Sequence, residues 1–300
     1  MPRSLLVQAP AKLNLALSVG APDAGGMHPI SSWMVTVDLF DDLHLEQLSE
    51  GSFSLFATVW HAEARSRSDI EWPISKDLVQ RAHAALEARL GRQLPIKARV
   101  EKRIPIGGGL GGGSSDAAAM LRGLNELFDL GLAAAELCEI AAPLGSDVPF
   151  LVEGGSALVS GTGDHIESLG APPALHATLF MPGVVCPTGP VYQEFDRIAT
   201  PQLRASLVRA LAMRESLDPD APFNDLAHSA QCVAPAIAED MEEIASLVAL
   251  PVHVCGSGSS LFSICSDPLH AAAVADLVTE RLRIPAVAVA TTVTPPTKPL

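Results

Sequence analysis

The sequence predicts a fold built from both strands and helices, and two periodicities carry that reading. Residues 5–19 alternate, with Leu13, Leu15, Leu17 and Val19 on one face and Lys12, Asn14, Ala16 and Ser18 on the other, which is strand period. From Ala117 onward, Met120, Leu121, Leu124, Leu127 and Phe128 recur at helical three-four spacing. At 300 residues, with 48% hydrophobic and 18% charged side chains, the chain fits one large domain or two ordinary ones and is too apolar to be disordered.

The elements follow in order. The first strand sets Lys12 and Asn14 on one side among small neighbours, and PDAGGMHP (Pro22 to Pro29) is a turn by its glycines and prolines. The apolar runs 33–40 and 43–48 predict two strands, and residues 76–90 a helix through Leu78, Val79, Ala82, Leu86 and Leu90. Residues 96–104 alternate again, and Lys102 falls in the apolar phase with Ile96, Ala98, Val100 and Ile104. Next come the glycines of GGGLGGGSS (Gly107 to Ser115) and then the helix, giving the order strand, glycine loop, helix. A short helix over 133–142 leads to PLGSDVPF (Pro143 to Phe150), with strand-like runs at 150–152 and 157–160. Beyond a proline- and glycine-rich stretch, residues 202–215 predict a helix. Residues 252–265 predict two short strands around a glycine-serine turn, 269–282 a helix and 286–293 a last strand. Residues 295–300 read as a frayed tail.

Composition excludes several roles. A formal charge of -14 repels nucleic acid and anionic membranes, so an anionic ligand has to be held locally, by placed cations or backbone N–H groups. Five scattered cysteines without a C-x-x-C pair indicate reduced thiols rather than a zinc site. No apolar run approaches the ~20 residues of a membrane span, and the N-terminus lacks a continuous signal core, so the expected location is the cytoplasm.

The glycine loop is the strongest local signal. Without Cβ atoms its backbone can approach a phosphate, and the first N–H groups of the following helix can bind one; Ser114 and Ser115 cap that helix or add hydroxyl contacts. The P-loop pattern fails because no lysine precedes the serines. Gly107, Gly109 and Gly112 satisfy the dinucleotide pattern formally, but the acidic residue at about the right distance, Asp129, ends the same helix instead of a second strand. Six ordered glycines would cost up to ~1 kcal/mol each relative to alanine, which a plain connector does not require. The loop therefore reads as a phosphate site.

PIGGGLGGGSSDAAA (Pro105 to Ala119) resembles the central motif of the GHMP kinases, whose loop wraps the ATP phosphates. APAKLNL (Ala9 to Leu15) and VCGSGSSLFSI (Val254 to Ile264) fit the same superfamily in the same order. Together with LGSDVPF (Leu144 to Phe150), PTGPVY (Pro187 to Tyr192) and FND (Phe223 to Asp225), they are most similar to the branch that serves non-mevalonate isoprenoid synthesis. The resemblance implies an α+β, two-lobed GHMP kinase fold. Its N-terminal lobe, 1–155, carries the glycine-rich phosphate loop; its C-terminal lobe, 156–294, is ferredoxin-like.

The implied reaction moves the γ-phosphoryl of ATP, with Mg²⁺, onto an alcohol of a cytidine diphosphate derivative. By resemblance Asp147 takes the hydroxyl proton, and Lys12 holds it ionised and stabilises charge on the phosphoryl. Lys102, Pro105, Gly107, Gly108, Gly109, Leu110, Gly111, Gly112, Gly113, Ser114 and Ser115 contact ATP. Asn14, Met27, His28, Thr188, Tyr192, Gly256, Ser257 and Gly258 contact the acceptor. No metal ligand is assigned, and a monomer or weak dimer is expected.

Each residue also has a plainer reading: Asp147 as a turn or cap aspartate, Lys102 as a snorkelling lysine, His28 as a turn histidine, Tyr192 as packing. Two positions depart from the family pattern. Met27 stands where a tyrosine forms one side of a cytosine sandwich, and Asp77 stands where an asparagine lies near the adenine. A related kinase with another acceptor, or a catalytically silent nucleotide-binding homologue, are the readings these departures leave open, and retention of Lys12 and Asp147 argues against the second.

Overall fold

The computed structural model describes residues 3–300, in which two sheets share the chain. In the larger, β1 (Ser4–Val19) and β2 (Ile30–Gln47) pair antiparallel along most of their length. β3 (Leu55–Trp60) runs parallel to β4 (Ile96–Lys102), and β4 pairs with the second half of β2. On one face lie α1 (Leu78–Leu90), α2 (Gly112–Leu127), α3 (Ala134–Ala141) and α4 (Val148–Glu153). Leu43, Leu45, Leu86, Leu121 and Phe150 meet there in one buried cluster, each contributing about 1.5–3 kcal/mol by its burial.

The larger sheet continues past residue 155. β5 (Ser156–Gly161) pairs with the start of β2, and β6 (His165–Gly170) pairs with β5. Residues on the C-terminal side of the expected lobe boundary at 155/156 thus join the larger sheet, and residues 223–224 and 298–299 do so as well by pairing with β1. Gly155, which looks like part of a linker in the sequence, accepts a backbone hydrogen bond from Thr36 of β2.

The smaller sheet contains β7 (His176–Phe180), β9 (His253–Val254), β10 (Leu261–Cys265) and β11 (Ala286–Ala290), in the order β11-β7-β10-β9. Between β7 and β9 run α5 (Thr188–Ile198), α6 (Ala205–Ala212), β8 (Phe223–Asn224), α7 (Ala227–Val233) and α8 (Ala236–Val248). Between β10 and β11 runs α9 (Pro268–Leu282). This is the ferredoxin-like strand order the resemblance implies. The lobe is tied back to the larger sheet, since β8 pairs in parallel with Ala16 and Leu17 of β1.

Three expectations are corrected. The runs 33–40 and 43–48 form one strand, because Asp41 and Asp42 interrupt the apolar pattern without interrupting the pairing, and a bulge opposite Pro10 and Ala11 absorbs the extra residues. The strand-like run 150–152 belongs to α4: a short, wholly buried apolar run has no periodicity to separate helix from strand, and Pro149 in the first turn suits a helix. The tail is not frayed, since β12 (Lys298–Pro299) pairs with Leu5 and Leu6 of β1.

Candidate active site

β4 ends at Lys102 and α2 begins at Gly112, so the glycine loop spans the gap between a central strand and a helix N-terminus. Two positions show why side chains are excluded. Gly109 has φ +76, and a Cβ there would lie 2.0 Å from the carbonyl oxygen of Cys255. Gly111 has φ +72, and its Cβ would lie 2.9 Å from Cγ of Lys12. The loop is thus pressed between the C-terminal lobe and the first strand. Its N-cap, Gly111, has no side chain to cap α2, leaving the first N–H groups for a ligand. The serines do not cap the helix: it starts ahead of them, and Oγ of Ser115 is buried without a partner.

Beneath the loop, Lys102 is buried between two carboxylates, with Nζ 2.5 Å from Asp41 and 2.6 Å from Asp116. Burial opposes its charge, but Asp116 and Asp41 outweigh burial and raise its pKa. Burial pushes the Asp116 carboxyl up to about 8, against the attraction of Lys102. Asp41 also accepts the backbone N–H groups of Arg103 and Ile104, fixing the chain as it enters the loop. Sequence reasoning missed both aspartates. The available signals were a lysine in the apolar phase of one strand and an acid inside the apolar run of another.

Beside the loop, Lys12 donates its backbone N–H to the carbonyl of Leu110. Its Nζ lies 2.7 Å from Oδ1 of Asn14 and 3.3 Å from Oδ2 of Asp147. Asn14 in turn donates to Oγ of Ser32, which donates to the carbonyl of Ala16. This relay leaves Oδ1 of Asn14 free to accept from Lys12. Asp147 occupies the N-cap position of α4 and makes no capping hydrogen bond. The plain cap reading of Asp147 is thereby excluded, and its carboxylate faces Lys12 instead.

Of the cavities that border the loop, two share Gly107, Gly109 and Gly111. One of about 300 Å³ is bordered by Trp72, Asp77, Leu78, Lys102 and the loop from Pro105 to Ser114. The other, of about 260 Å³, is bordered by Lys12, Asn14, Asp147, Thr188, Tyr192, Gly256 and Ser257. Gly107, Gly109 and Gly111 line both, so a group held by the loop is reachable from either side. Asp77 has a local duty, accepting from the N–H groups of Val79 and Gln80 at 2.9 and 3.1 Å as the N-cap of α1.

On the second cavity, Tyr192 is largely buried, and burial followed by the Asp147 charge pushes its hydroxyl up to about 12. His28 packs against it with ring centroids 5.0 Å apart, and a ring nitrogen lies 3.0 Å from the carbonyl oxygen of Gly20. Thr188 and Ser257 share a hydrogen bond of 2.9 Å at the rim. Gly258 borders neither cavity, and a Cβ there would lie 3.4 Å from Cys186 and from Ile237. Met27 is not brought in: it is 55% exposed, in the turn after β1, and borders neither cavity. Among the described residues no cluster of His, Cys, Asp and Glu could hold a metal by itself, and no helix is long and apolar enough to cross a membrane.

A glycine loop at a helix N-terminus, bordered on both sides by cavities of which one holds a Lys–Asp pair, suits a nucleotide-dependent phosphotransferase. The GHMP kinases N terminal domain family matches residues 77–155. The 4-diphosphocytidyl-2-C-methyl-D-erythritol kinase of Caulobacter sp. (strain K31) is 37% identical over 92% of this chain and 93% of its own. That of Desulfotalea psychrophila (strain LSv54 / DSM 12343) is 36% identical over 87% and 85%. A crystal structure of 4-(cytidine 5'-diphospho)-2C-methyl-D-erythritol kinase aligns with a TM-score of 0.76 at 30% identity, covering 96% of this chain and 99% of that one. The homoserine kinase of Cytophaga hutchinsonii, 20% identical with a TM-score of 0.70 over 99% of this chain and 97% of its own, shares the fold. The chain belongs to the GHMP kinases, ATP-dependent phosphotransferases, and within them to the 4-diphosphocytidyl-2-C-methyl-D-erythritol kinase family.

Proposed function

We propose that this kinase transfers the γ-phosphoryl of ATP to the 2-hydroxyl of 4-diphosphocytidyl-2-C-methyl-D-erythritol, a step of non-mevalonate isoprenoid precursor synthesis. The observation that carries the reading is the Lys12–Asp147 pair, 3.3 Å apart, in a cavity that shares Gly107, Gly109 and Gly111 with the cavity at the start of α1. ATP lies with its base near Asp77, Leu78 and Lys102 and its phosphates against the N–H groups of the loop and of the first turn of α2. The acceptor enters from the Tyr192 side, with its cytosine against Tyr192 and His28 and its rim contacts at Thr188, Gly256 and Ser257.

Asp147 accepts the proton of the attacking hydroxyl as the new O–P bond forms and the bond to ADP breaks. Lys12 offsets the charge that builds on the moving phosphoryl, and Asn14, fixed by Ser32, aims it. The unpartnered Ser115 Oγ beside the loop fits a magnesium ion carried by the nucleotide, since Mg²⁺ takes oxygen ligands and uses few from the protein. Such an ion neutralises phosphate charge. With Met27 outside the cavity, the cytosine is gripped from the Tyr192 and His28 side alone.

The test is a coupled ADP-release assay with the cytidine substrate, homoserine, mevalonate and isopentenyl phosphate. The expected result is a kcat/KM for the cytidine substrate at least about 100-fold above the others. Faster turnover of another acceptor would replace the substrate assignment, and ATP binding without ADP release on any of them would identify a silent homologue.

A further inference from the structure

The FND stretch, Phe223 to Asp225, borders neither of the two cavities that share Gly107, Gly109 and Gly111, yet it connects three segments that converge on Lys12. Phe223 and Asn224 form β8, in parallel register with Ala16 and Leu17 of β1, the strand that carries Lys12 and Asn14. Asp225 secures that attachment: its backbone N–H donates to Leu17, and its carboxylate accepts from the N–H of Val19, the hydroxyl of Ser18 and the guanidinium of Arg204. From this position, anchored on β1, the Asn224 amide reaches the turn after β9. Its Nδ2 donates to the carbonyls of Val254 and Gly256 at 3.0 and 2.7 Å, and its Oδ1 accepts from the N–H of Leu226 at 2.9 Å.

The carbonyl of Gly256 belongs to the turn that presses on the glycine loop. Ser260 donates its N–H to the carbonyl of Gly108, and Cys255 sits where a side chain on Gly109 would be. A Cβ on Gly256 itself would lie 3.4 Å from Nζ of Lys12 and 3.6 Å from Oδ1 of Asn14. The turn thus forms one wall around the reacting groups; Thr188 and Cys186 hold it at Ser257, and Asn224 holds it at Val254 and Gly256. A carboxamide has two N–H donors, which match two carbonyls on successive sides of the turn.

We infer that Asn224 is a positioning residue: its two donated hydrogen bonds hold the 254–258 turn in register with the glycine loop and Lys12, and so align the phosphoryl donor with the Lys12–Asp147 pair. The inference rests on the kinase reading of the site but not on the identity of the acceptor.

Two variants separate this role from a purely structural one. Asn224→Asp keeps the oxygen that accepts from Leu226 and loses both donors, setting a carboxylate against two carbonyls. Asn224→Ala loses all three contacts. The full-length variants are compared with wild type by ATP calorimetry without acceptor, by kcat and KM with the preferred acceptor, and by thermal unfolding. The expected result is a fall in kcat of about 10- to 100-fold in both variants, the size of effect that a displacement of about 1 Å produces. ATP affinity falls about threefold to tenfold in the same variants. Acid gives a further readout, because a protonated carboxyl regains one donor: the ratio of Asn224→Asp to wild-type kcat rises as pH is lowered.

A purely structural role in the 224–226 turn predicts the opposite, with Asn224→Asp at wild-type kcat and ATP affinity and a ratio that does not change with pH. That outcome overturns the inference, including when Asn224→Ala fails to fold. A wild type inactive on the cytidine substrate overturns the acceptor assignment alone, since the ATP calorimetry still reads the effect of Asn224.

Discussion

Replacing Asp147 by asparagine distinguishes a reacting carboxylate from a structural one. Asparagine is as good an N-cap as aspartate, so if Asp147 served only to start α4, Asp147→Asn would leave both stability and turnover near wild type. The structure argues for a different outcome, because the carboxylate makes no cap hydrogen bond and lies 3.3 Å from Lys12. At that distance, with an effective dielectric constant of about 20, the attraction is on the order of 5 kcal/mol, enough to fix the pair's geometry. The substitution keeps the shape and removes the proton acceptor. Loss of a general base raises the barrier by about 3–5 kcal/mol, so kcat is expected to fall roughly 100- to 10,000-fold. Stability is expected to fall by only about 1–2 kcal/mol, since Lys12 retains Asn14 at 2.7 Å as a partner. The assay is steady-state ADP release at saturating ATP and acceptor, with thermal unfolding in parallel. A kcat within tenfold of wild type would refute the assignment.

Gly109→Ala tests the close approach of the two lobes: a Cβ 2.0 Å from the Cys255 carbonyl has to push the loop from the turn, and kcat/KM for ATP is expected to fall by about 100-fold in the same ADP-release assay. Lys102→Met tests whether that lysine supports the loop or contacts the nucleotide. Leaving Asp41 and Asp116 buried without their shared cation is expected to cost about 3–5 kcal/mol, which lowers the midpoint in calorimetry by roughly 10 °C. An unchanged midpoint with a raised KM for ATP would make Lys102 a nucleotide contact instead.

Legibility in the sequence followed the physics of each segment. β4 and α1 have one buried face and one wetter face, so their periodicity identified them, whereas β1 is buried on both faces beyond Ala9 and was legible because Lys12, Asn14 and Ser18 are polar by type. α4 is buried all round, and a run of five apolar residues buried on every side carries no phase to read. β2 was split because Asp41 is polar by type but buried by circumstance; only its pairing with Lys102, 61 residues away, makes it compatible with a strand interior. The pairing of residues 223–224 and 298–299 with β1 was likewise invisible, since strand partners are set by tertiary contact rather than by local pattern.

The candidate site divides along the same line. Lys12 was conspicuous because a cation in a small-residue strand face requires a partner, and Asp147 supplies it across 135 positions of chain, a distance only the family resemblance could bridge. Residues that contact no ligand but orient those that do, such as Ser32 behind Asn14 and Asn224 behind Gly256, left no local trace: serine and asparagine are ordinary in strands' ends and turns, and their importance appears only once their hydrogen bonds are followed. Met27 shows the converse. Its position in a recognisable motif suggested a ligand contact, yet the turn that carries it is held by Asp23, which accepts the N–H groups of Gly25 and Met27, and that turn points the side chain to solvent. The motifs thus led to residues that the fold brings together, the glycine loop with Lys12 and Asp147, while Met27, quoted from the same kind of motif, lies apart from them. Tyr192 borders the acceptor-side cavity and His28 backs it with ring centroids 5.0 Å apart, so under the proposed function acceptor selectivity is expected to depend on Tyr192 rather than on Met27.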